Sequence, residues 1–361
     1  MVVFVHCLVC WRTELFGPLN ADLVQAALFV ISGRAPVIIF FVLSGFVLTR
    51  AFSGNKVFFF FLRRLLRLVP AAWAGLCFSL FIFAVVSKFN ATNPDSYLKE
   101  WISVHYQASF RDLIAGSLFL SNFINPAYWT LHVELVGSLL MPLVYYLLRK
   151  NILNGFLALA VSLLLPFIPL YLGSLENMTH MLIFSFFAGM LLEPLLVRAE
   201  NRFKVPSFWF AWLGLAFLLI GHSIIGPSSV LGSKLGNLDS LSEVMGSDHN
   251  LALYFQHIVE TIGACLLVGY VALGNRLPIW MSSRPVVLIG KISYSIYLLH
   301  FPILALTVVC LERLFHVSSG YQTIALPLGT FAVVTIFTLP LSYVSYHIFE
   351  KPFIQLGRRL A

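Results

Sequence analysis

Long apolar segments constrain this chain more than any other feature of its sequence. Runs such as Ile152–Leu172, Phe208–Ile220 and Phe331–Val344 contain no charged residue. A helix of about 20 apolar residues is long enough to cross the hydrocarbon core of a bilayer. The alternating strands of about ten residues that build outer-membrane barrels are absent from the sequence. Charged residues make up only 11% of the 361 residues, against about 25% in soluble domains. The sequence therefore predicts an all-α integral membrane protein.

The charged residues between these segments predict how the chain crosses the membrane. Basic clusters alternate along the chain with loops that hold most of the acidic residues, and cytoplasmic loops of membrane proteins collect Lys and Arg. This rule explains the net charge of +8 without a nucleic-acid partner. It predicts a bundle of about ten transmembrane helices, with both termini cytoplasmic and outer loops at 88–130 and 221–250. The predicted spans are roughly 1–11, 35–49, 68–87, 131–148, 152–172, 179–197, 207–225, 251–273, 286–310 and 322–348.

The first predicted span is unusually short. It reaches Arg12 after eleven residues, about half of what a crossing needs. We therefore expect residues 1–361 to be a single transmembrane domain whose N-terminus is truncated within the first span. The stretch 23–32 is expected to be re-entrant or interfacial. The five cysteines lie in apolar segments without metal-ligand spacing, so no metal site is predicted.

Ionisable residues inside predicted spans are the first candidate site. Such residues are costly at membrane depth and mark functional positions by default. His6 lies in the first span, Arg34 begins the second, and Glu134 lies one turn into the fourth, shortly after Trp129 and His132. The predicted topology brings these groups to one depth near the outer surface.

The chemistry that fits this set is proton abstraction from a hydroxyl group. A neutral imidazole is a suitable general base, a carboxylate can orient it, and a guanidinium or an indole N–H can stabilise an oxyanion. Two other interpretations remain open on the residues alone: a transport or proton-relay pathway, and simple hydrogen bonding between helices.

Two further groups of residues stand out. In the stretch FLRRLLRLVPAAW, Arg64 and Arg67 are three residues apart on one helical face, which suits either a phosphate clamp or ordinary anchoring at the cytoplasmic surface. In SYSIYLLHFP, Tyr294, Tyr297 and His300 form a stripe. Such a stripe is more often core packing than a site.

Five ordered motifs resemble the membrane acyltransferase 3 family. They are FFVLSGFVLTR, FLRRLLRLVPAAW, YWTLHVEL, SYSIYLLHFP and FEKP, and the resemblance extends from His6 to Pro352. It implies a multi-pass protein of a bacterial inner membrane or plasma membrane. Such a protein moves acyl groups, commonly acetyl, from cytoplasmic acyl-CoA to hydroxyls of extracytoplasmic carbohydrates or glycoconjugates. Acyl-CoA is then a co-substrate, and no bound cofactor is implied.

The resemblance also implies roles for individual residues. His6 matches the family's catalytic base, Arg64 and Arg67 match the arginines linked to donor binding, and Ser44 with Gly45 match a conserved turn. The remaining matches are Trp129 and Glu134 in the W-[ST]-L-x-x-E segment, and Tyr294 and His300 in the S-Y-S-x-Y-L-x-H motif.

The chain departs from the family pattern at three points. A basic residue usually lies about ten positions before the first-span histidine, Ile38 replaces an acidic residue found in many members, and LVGSLL follows Glu134 where an aromatic pair is expected. These departures bear on the acceptor class and, for the missing basic residue, on activity. The alternatives that stay open are a multi-span transporter or flippase, and an inactive truncated homologue.

Overall fold

The structure, a computed structural model, describes residues 1–11, 31–52, 56–87, 109–167, 174–200, 208–225, 251–274, 279–315 and 325–360. These residues form helices, turns and short connections, and no β-strand occurs among them. The prediction of an all-α protein is confirmed. The α-helices are α1 (Val2–Val9), α2 (Ala35–Ala51), α3 (Val57–Ser87), α4 (Phe110–Ser117), α5 (Tyr128–Lys150), α6 (Ile152–Leu164), α7 (Ser174–Glu200), α8 (Trp209–Ile220), α9 (Leu251–Leu273), α10 (Arg284–Phe315), α11 (Ala325–Ser345) and α12 (Lys351–Arg359).

The helices confirm a multi-pass membrane protein. Among the described residues, six helical segments are long and apolar enough to cross a membrane: Val57–Val86, Tyr128–Lys150, Met178–Arg198, Leu251–Leu273, Arg284–Leu314 and Ala325–Arg359. Three shorter apolar segments follow the same pattern, at Ala35–Ala51, Ile152–Phe167 and Trp209–Ile224. Each predicted span overlaps a helix, but the predicted count of ten crossings is not confirmed. Of the stretch 23–32, residues 23–30 lie outside the described residues, as do 88–108 and 226–250 of the two predicted outer loops.

The chain divides into two compact units, and each is described separately. The first unit comprises Met1–Gly33, Phe61–Trp129 and Trp280–Ala361, and the second comprises Arg34–Phe60 and Thr130–Ile279. The first unit thus contains α1, most of α3, α4 and α10–α12. The second contains α2, most of α5 and α6–α9.

Helices α3 and α10 run in the same direction within the first unit. The Tyr294 hydroxyl donates to the Leu68 carbonyl oxygen at 2.9 Å. Further along both helices, a Cβ atom on Gly75 would lie 3.2 Å from the Cβ atom of Leu298. This relative direction agrees with the sequence prediction, which assigns the same crossing direction to both helices.

Helix α1 is attached to α10 and α11. The Trp11 indole N–H donates to Thr330 Oγ1 at 3.0 Å, and the rings of Phe4 and Phe331 meet edge to face. Trp11 is buried in a cluster with apolar side chains of α10 and α11. These contacts fix both ends of a helix that is only eight residues long and too short to be stable alone.

The second unit contains a close crossing between α2 and α7. A Cβ atom on Gly45 would lie 2.0 Å from the Phe186 carbonyl oxygen, and a Cβ atom on Gly189 would lie 2.0 Å from the Val42 carbonyl oxygen. Small residues allow membrane helices to approach this closely. The expectation that Ser44 and Gly45 form a turn is wrong, because both lie inside α2. Glycine is needed there for helix packing.

Helix α4 was not predicted, because its eight residues lie in a predicted loop. Its first turn is closed by a capping box, in which Ser109 Oγ accepts from the Asp112 amide and the Asp112 carboxylate accepts from the Ser109 amide at 2.8 Å. The hydrogen bonds from Ser109 hold the pKa of Asp112 below its usual value. This reciprocal pairing satisfies N–H groups that a helix start otherwise leaves without partners.

Candidate active site

His6 and His300 are in direct contact in the first unit. Nδ1 of His6 lies 3.0 Å from Nε2 of His300, and the ring planes differ by only 18°. His300 is completely buried, whereas His6 is partly exposed. The structure therefore places an accessible imidazole in front of a buried one. The sequence predicts His300 as part of an aromatic stripe that matches a family motif, but it does not predict the contact with His6.

The buried imidazole is itself held by its own helix. Nδ1 of His300 lies 2.6 Å from the Tyr297 carbonyl oxygen, and the Tyr297 ring is tilted against the His300 ring. Phe301 makes edge-to-face contacts with both histidines and so places one apolar ring against the pair. The stripe of Tyr294, Tyr297 and His300 thus contributes to packing, and it also places His300 in contact with His6.

Asn125 ties α3 to α10 at Leu298, two residues before His300 in the sequence. Its amide nitrogen donates to Ser79 Oγ at 3.1 Å and to the Leu298 carbonyl oxygen at 3.0 Å, and its oxygen accepts from the Ala127 amide. The adjacent Tyr128 hydroxyl donates to the Ala72 carbonyl oxygen. These bonds anchor the start of α5, and Trp129 follows at once. The role of Asn125 was not predicted, because it lies in a predicted loop, where a polar residue is ordinary and does not mark a functional position.

Arg67 of α3 lies near a buried carboxylate of the same unit. Arg64 is buried, Arg67 is exposed, and Arg67 interacts electrostatically with Glu350. Glu350 is buried and accepts a hydrogen bond from Ser295 Oγ, which lies 3.0 Å from Ser345 Oγ. Although Arg64 and Arg67 are three residues apart in α3, they differ in exposure, so they do not form one uniform surface patch.

Helix α10 links the histidine pair to this basic end of the unit. Tyr294 contacts Leu68, the residue next to Arg67, and His300 lies six residues further along the same helix. At 1.5 Å per residue, six residues correspond to about 9 Å along the helix axis. Arg67 and the His6–His300 pair therefore lie at successive positions along the axis of α10.

Glu134 and His132 lie on α5 in the second unit, and both are buried. The predicted partner of Glu134, His6, belongs to the first unit. Their pairing therefore stays a prediction. Trp129 lies on the same helix as Glu134 but at the end of the first unit.

Arg34 has partners within the second unit that the sequence analysis missed. Its guanidinium donates to Nε2 of His257 at 3.4 Å and interacts electrostatically with Glu260. Glu260 also accepts from Gln256 at 2.9 Å. All three α9 residues are buried. The sequence carried a signal, because FQHIVET interrupts an apolar span with residues that are costly at membrane depth.

Among the described residues, no group of three or more His, Cys, Asp or Glu side chains is arranged to hold a metal ion. The pair His6–His300 offers a partly exposed, hydrogen-bonded imidazole in the first unit.

Comparison with known proteins identifies the family. The sequence profile of an acyltransferase domain, that of the acyltransferase 3 family, matches residues 1–347. The O-acetyltransferase OatA of Staphylococcus aureus is 24% identical over 358 residues, which cover 88% of this chain and 52% of OatA. YrhL of Bacillus subtilis, provisionally named a peptidoglycan O-acetyltransferase, is 26% identical over 365 residues, covering 91% of this chain and 51% of YrhL.

Nodulation protein 10 of Rhizobium leguminosarum bv. viciae is similar over a larger share of its length. It is 25% identical over 377 residues, covering 99% of this chain and 91% of that protein. The chain spans about half the length of OatA and YrhL. No solved structure matches it. The profile match over residues 1–347, together with these relatives, shows that the chain belongs to the acyltransferase 3 family.

Proposed function

We propose that this protein is a membrane-bound O-acyltransferase that uses His6 as the general base. The observation that carries the proposal is the contact between the partly exposed His6 imidazole and the buried His300 imidazole. A histidine held by a hydrogen bond and accessible on one side has the properties of a base for hydroxyl activation. Membership of the acyltransferase 3 family supplies the reaction class.

The reaction proposed is a direct transfer from an acyl thioester to a hydroxyl group. His6 takes the proton of the acceptor hydroxyl while the hydroxyl oxygen attacks the thioester carbonyl carbon. The C–S bond then breaks, and the departing CoA thiolate takes the proton back from His6. The products are an ester and free CoA, and His6 returns to its neutral form.

Acyl-CoA is the proposed donor, and acetyl is the acyl group we favour because two relatives are named O-acetyltransferases. Arg64 and Arg67 are proposed to bind the CoA phosphates, since guanidinium groups bind phosphate through paired hydrogen bonds. The histidine pair lies about 9 Å further along the unit, a distance that an extended pantetheine arm can bridge. This arrangement supports entry of the donor from the basic, cytoplasmic end, with both termini on that side.

A carbohydrate or glycoconjugate is the proposed acceptor. Its support is the name of YrhL, which refers to peptidoglycan, a carbohydrate polymer. Glu134 is proposed to orient His6, and Trp129 or Arg34 to stabilise the oxyanion, as the sequence predicts. His132 is proposed as a supporting residue of the same site.

Transfer of labelled acetyl groups tests the proposal. Membranes containing the full chain are incubated with radiolabelled acetyl-CoA and a membrane-derived glycan acceptor. We expect labelling that is lost in His6→Ala and in Glu134→Ala, while both variants remain in the membrane as monodisperse protein. His347→Ala is the control, because this partly exposed histidine lies 2.9 Å from the Tyr343 carbonyl oxygen, one turn back in the same helical segment.

The outcomes separate this proposal from its rivals. Labelling that persists in both His6→Ala and Glu134→Ala would refute the assigned base and its partner. A wild-type protein that moves glycans across vesicles without any acetyl-CoA dependence would instead indicate a transporter or flippase. An Arg67→Ala variant should raise the KM for acetyl-CoA more than it lowers kcat, because Arg67 is assigned to donor binding.

A further inference from the structure

We infer that His300 is a positioning residue that fixes the tautomer of His6, leaving the lone pair on Nε2 of His6 for the acceptor hydroxyl. The inference rests on the proposed function and names the mechanism by which that site is prepared. It follows from a chain of three groups: the Tyr297 carbonyl, the His300 ring and the His6 ring.

The Tyr297 carbonyl determines the first step. A carbonyl oxygen can only accept a hydrogen bond, and it lies 2.6 Å from Nδ1 of His300. The proton of neutral His300 is therefore on Nδ1. Its Nε2 then carries no hydrogen and can only accept.

The contact between the two rings determines the second step. Nε2 of His300 lies 3.0 Å from Nδ1 of His6, so the hydrogen between them belongs to His6. A neutral His6 then carries its proton on Nδ1 and a lone pair on Nε2. In the opposite tautomer, Nε2 of His6 would hold the proton and two lone pairs would face each other across 3.0 Å.

The ring geometry agrees with a hydrogen bond along the ring planes. The ring centroids are 5.2 Å apart and the nitrogen atoms 3.0 Å apart. The difference is about the width of one imidazole ring, so the rings lie end to end and nearly coplanar, as a nearly linear N–H···N bond requires. Rings stacked face to face would bring their centroids closer together.

Burial assigns different roles to the two histidines. His300 is completely buried and packs against Phe301, whereas His6 is partly exposed. Only His6 is therefore accessible to an acceptor. A charged His300 would be a buried ion, which costs several kcal/mol, so neutral His300 is the form on which the tautomer chain depends.

His300 keeps its proton throughout the reaction. When Nε2 of His6 takes the acceptor proton, the resulting imidazolium still donates its Nδ1 hydrogen to His300. The proton later leaves from Nε2 of His6 to the CoA thiolate. His300 thus orients and stabilises His6, as the aspartate orients the base of a serine protease, where losing that orientation lowers kcat by about 10⁴-fold.

Two substitutions of His300 separate positioning from packing. His300→Gln can present an amide oxygen to Nδ1 of His6 and so preserve the tautomer. His300→Leu fills a similar volume but offers no acceptor. We expect His300→Leu to lower kcat by about 10² to 10⁴-fold, and His300→Gln to recover at least tenfold of that loss, with KM for acetyl-CoA unchanged in both.

His347 provides matched control variants. Its Nδ1 also bonds a backbone carbonyl one turn back, at 2.9 Å from the Tyr343 oxygen, and its ring packs against Tyr343 and Tyr346. His347→Gln and His347→Leu should leave kcat unchanged. Thermal melts and elution profiles of all four variants show whether any loss of kcat is a loss of folding.

Three outcomes would overturn the inference. A kcat for folded His300→Leu equal to that of the wild type would show that no positioning is needed. A His300→Gln variant as slow as His300→Leu would mean that His300 itself transfers the proton. An NMR spectrum of ¹⁵N-histidine-labelled protein that shows the His6 proton on Nε2, assigned by comparison with His6→Gln, would contradict the tautomer.

The NMR measurement does not depend on acyl transfer. If the wild type shows the expected Nδ1–H tautomer but transfers no acyl group, the proposed function fails while the tautomer assignment stands. If acyl transfer occurs with the opposite tautomer, the proposed function survives and the role of His300 falls.

Discussion

Replacing Gly45 by alanine tests the helix crossing of the second unit. The added Cβ atom would lie 2.0 Å from the Phe186 carbonyl oxygen and 3.0 Å from the Met190 nitrogen. Separations below 3.0 Å are essentially absent from real Cβ contacts, so α2 and α7 must move apart by about 1 Å at this point, the kind of backbone shift that overpacking forces. The obstructing atoms belong to a backbone, so a change of rotamer cannot relieve the clash.

The energetic cost follows from that displacement. Overpacking a membrane or protein core by one methyl group typically costs about 1 to 3 kcal/mol, and a gap of 0.5 to 1 Å forfeits a quarter to a half of each contact energy. Phe41, Val42 and Phe186 are fully buried in this unit. We therefore expect Gly45→Ala to lower the free energy of unfolding by about 3 kcal/mol, the upper end of the range.

Unfolding of the purified protein in mixed micelles, titrated with SDS and followed by circular dichroism, measures this difference. Gly290→Ala and Gly329→Ala are the matched controls, because a Cβ atom on either glycine meets nothing within 4 Å. Both lie inside helices, where alanine is favoured over glycine by about 1 kcal/mol. A Gly45→Ala variant as stable as these controls would refute the close crossing.

Two further predictions concern charged groups. Arg34→Met removes the cation that interacts with buried Glu260. It should lower the free energy of unfolding by about 3 to 5 kcal/mol in the same SDS titration, and an Arg34→Met variant as stable as the wild type would contradict the pairing. Ser109→Ala should raise the pKa of Asp112, because hydrogen bonds from Ser109 lower it, and a carboxyl ¹³C NMR titration measures the change. The stability that these bonds contribute is present above the ordinary Asp pKa and is lost as the pH falls through the lowered folded value.

The sequence predicted the helices better than it predicted the site. Span 251–273 coincides with α9, and span 131–148 falls within α5, because apolar runs bounded by charges are themselves the physical requirement for a membrane helix. It did not predict the length of α3, which begins at Val57. The arginines near the start of α3 are typical of a cytoplasmic loop by composition, so the span was predicted to begin only at residue 68.

The site depended on contacts between residues distant in the chain. His6 was predicted as a candidate site residue because an ionisable residue in an apolar span is unusual, and the family resemblance implied its role as the base. Its contact with His300, 294 positions later, was not predicted, because no periodicity links two separate spans. The same holds for His257, which meets Arg34 across 223 positions.

By itself, the sequence determined the class of this protein, its helical segments, its family resemblance and the residues that are costly in a membrane. These follow from composition and local patterns, since the bilayer acts on each segment separately. Only the tertiary structure decided which of the ionisable residues in apolar helices contact each other: His6 with His300, and Arg34 with His257. It also showed that Gly45 serves a helix crossing and not a turn. The physical reason is that hydrogen bonds and steric contacts act over about 3 Å, so they depend on how the helices pack.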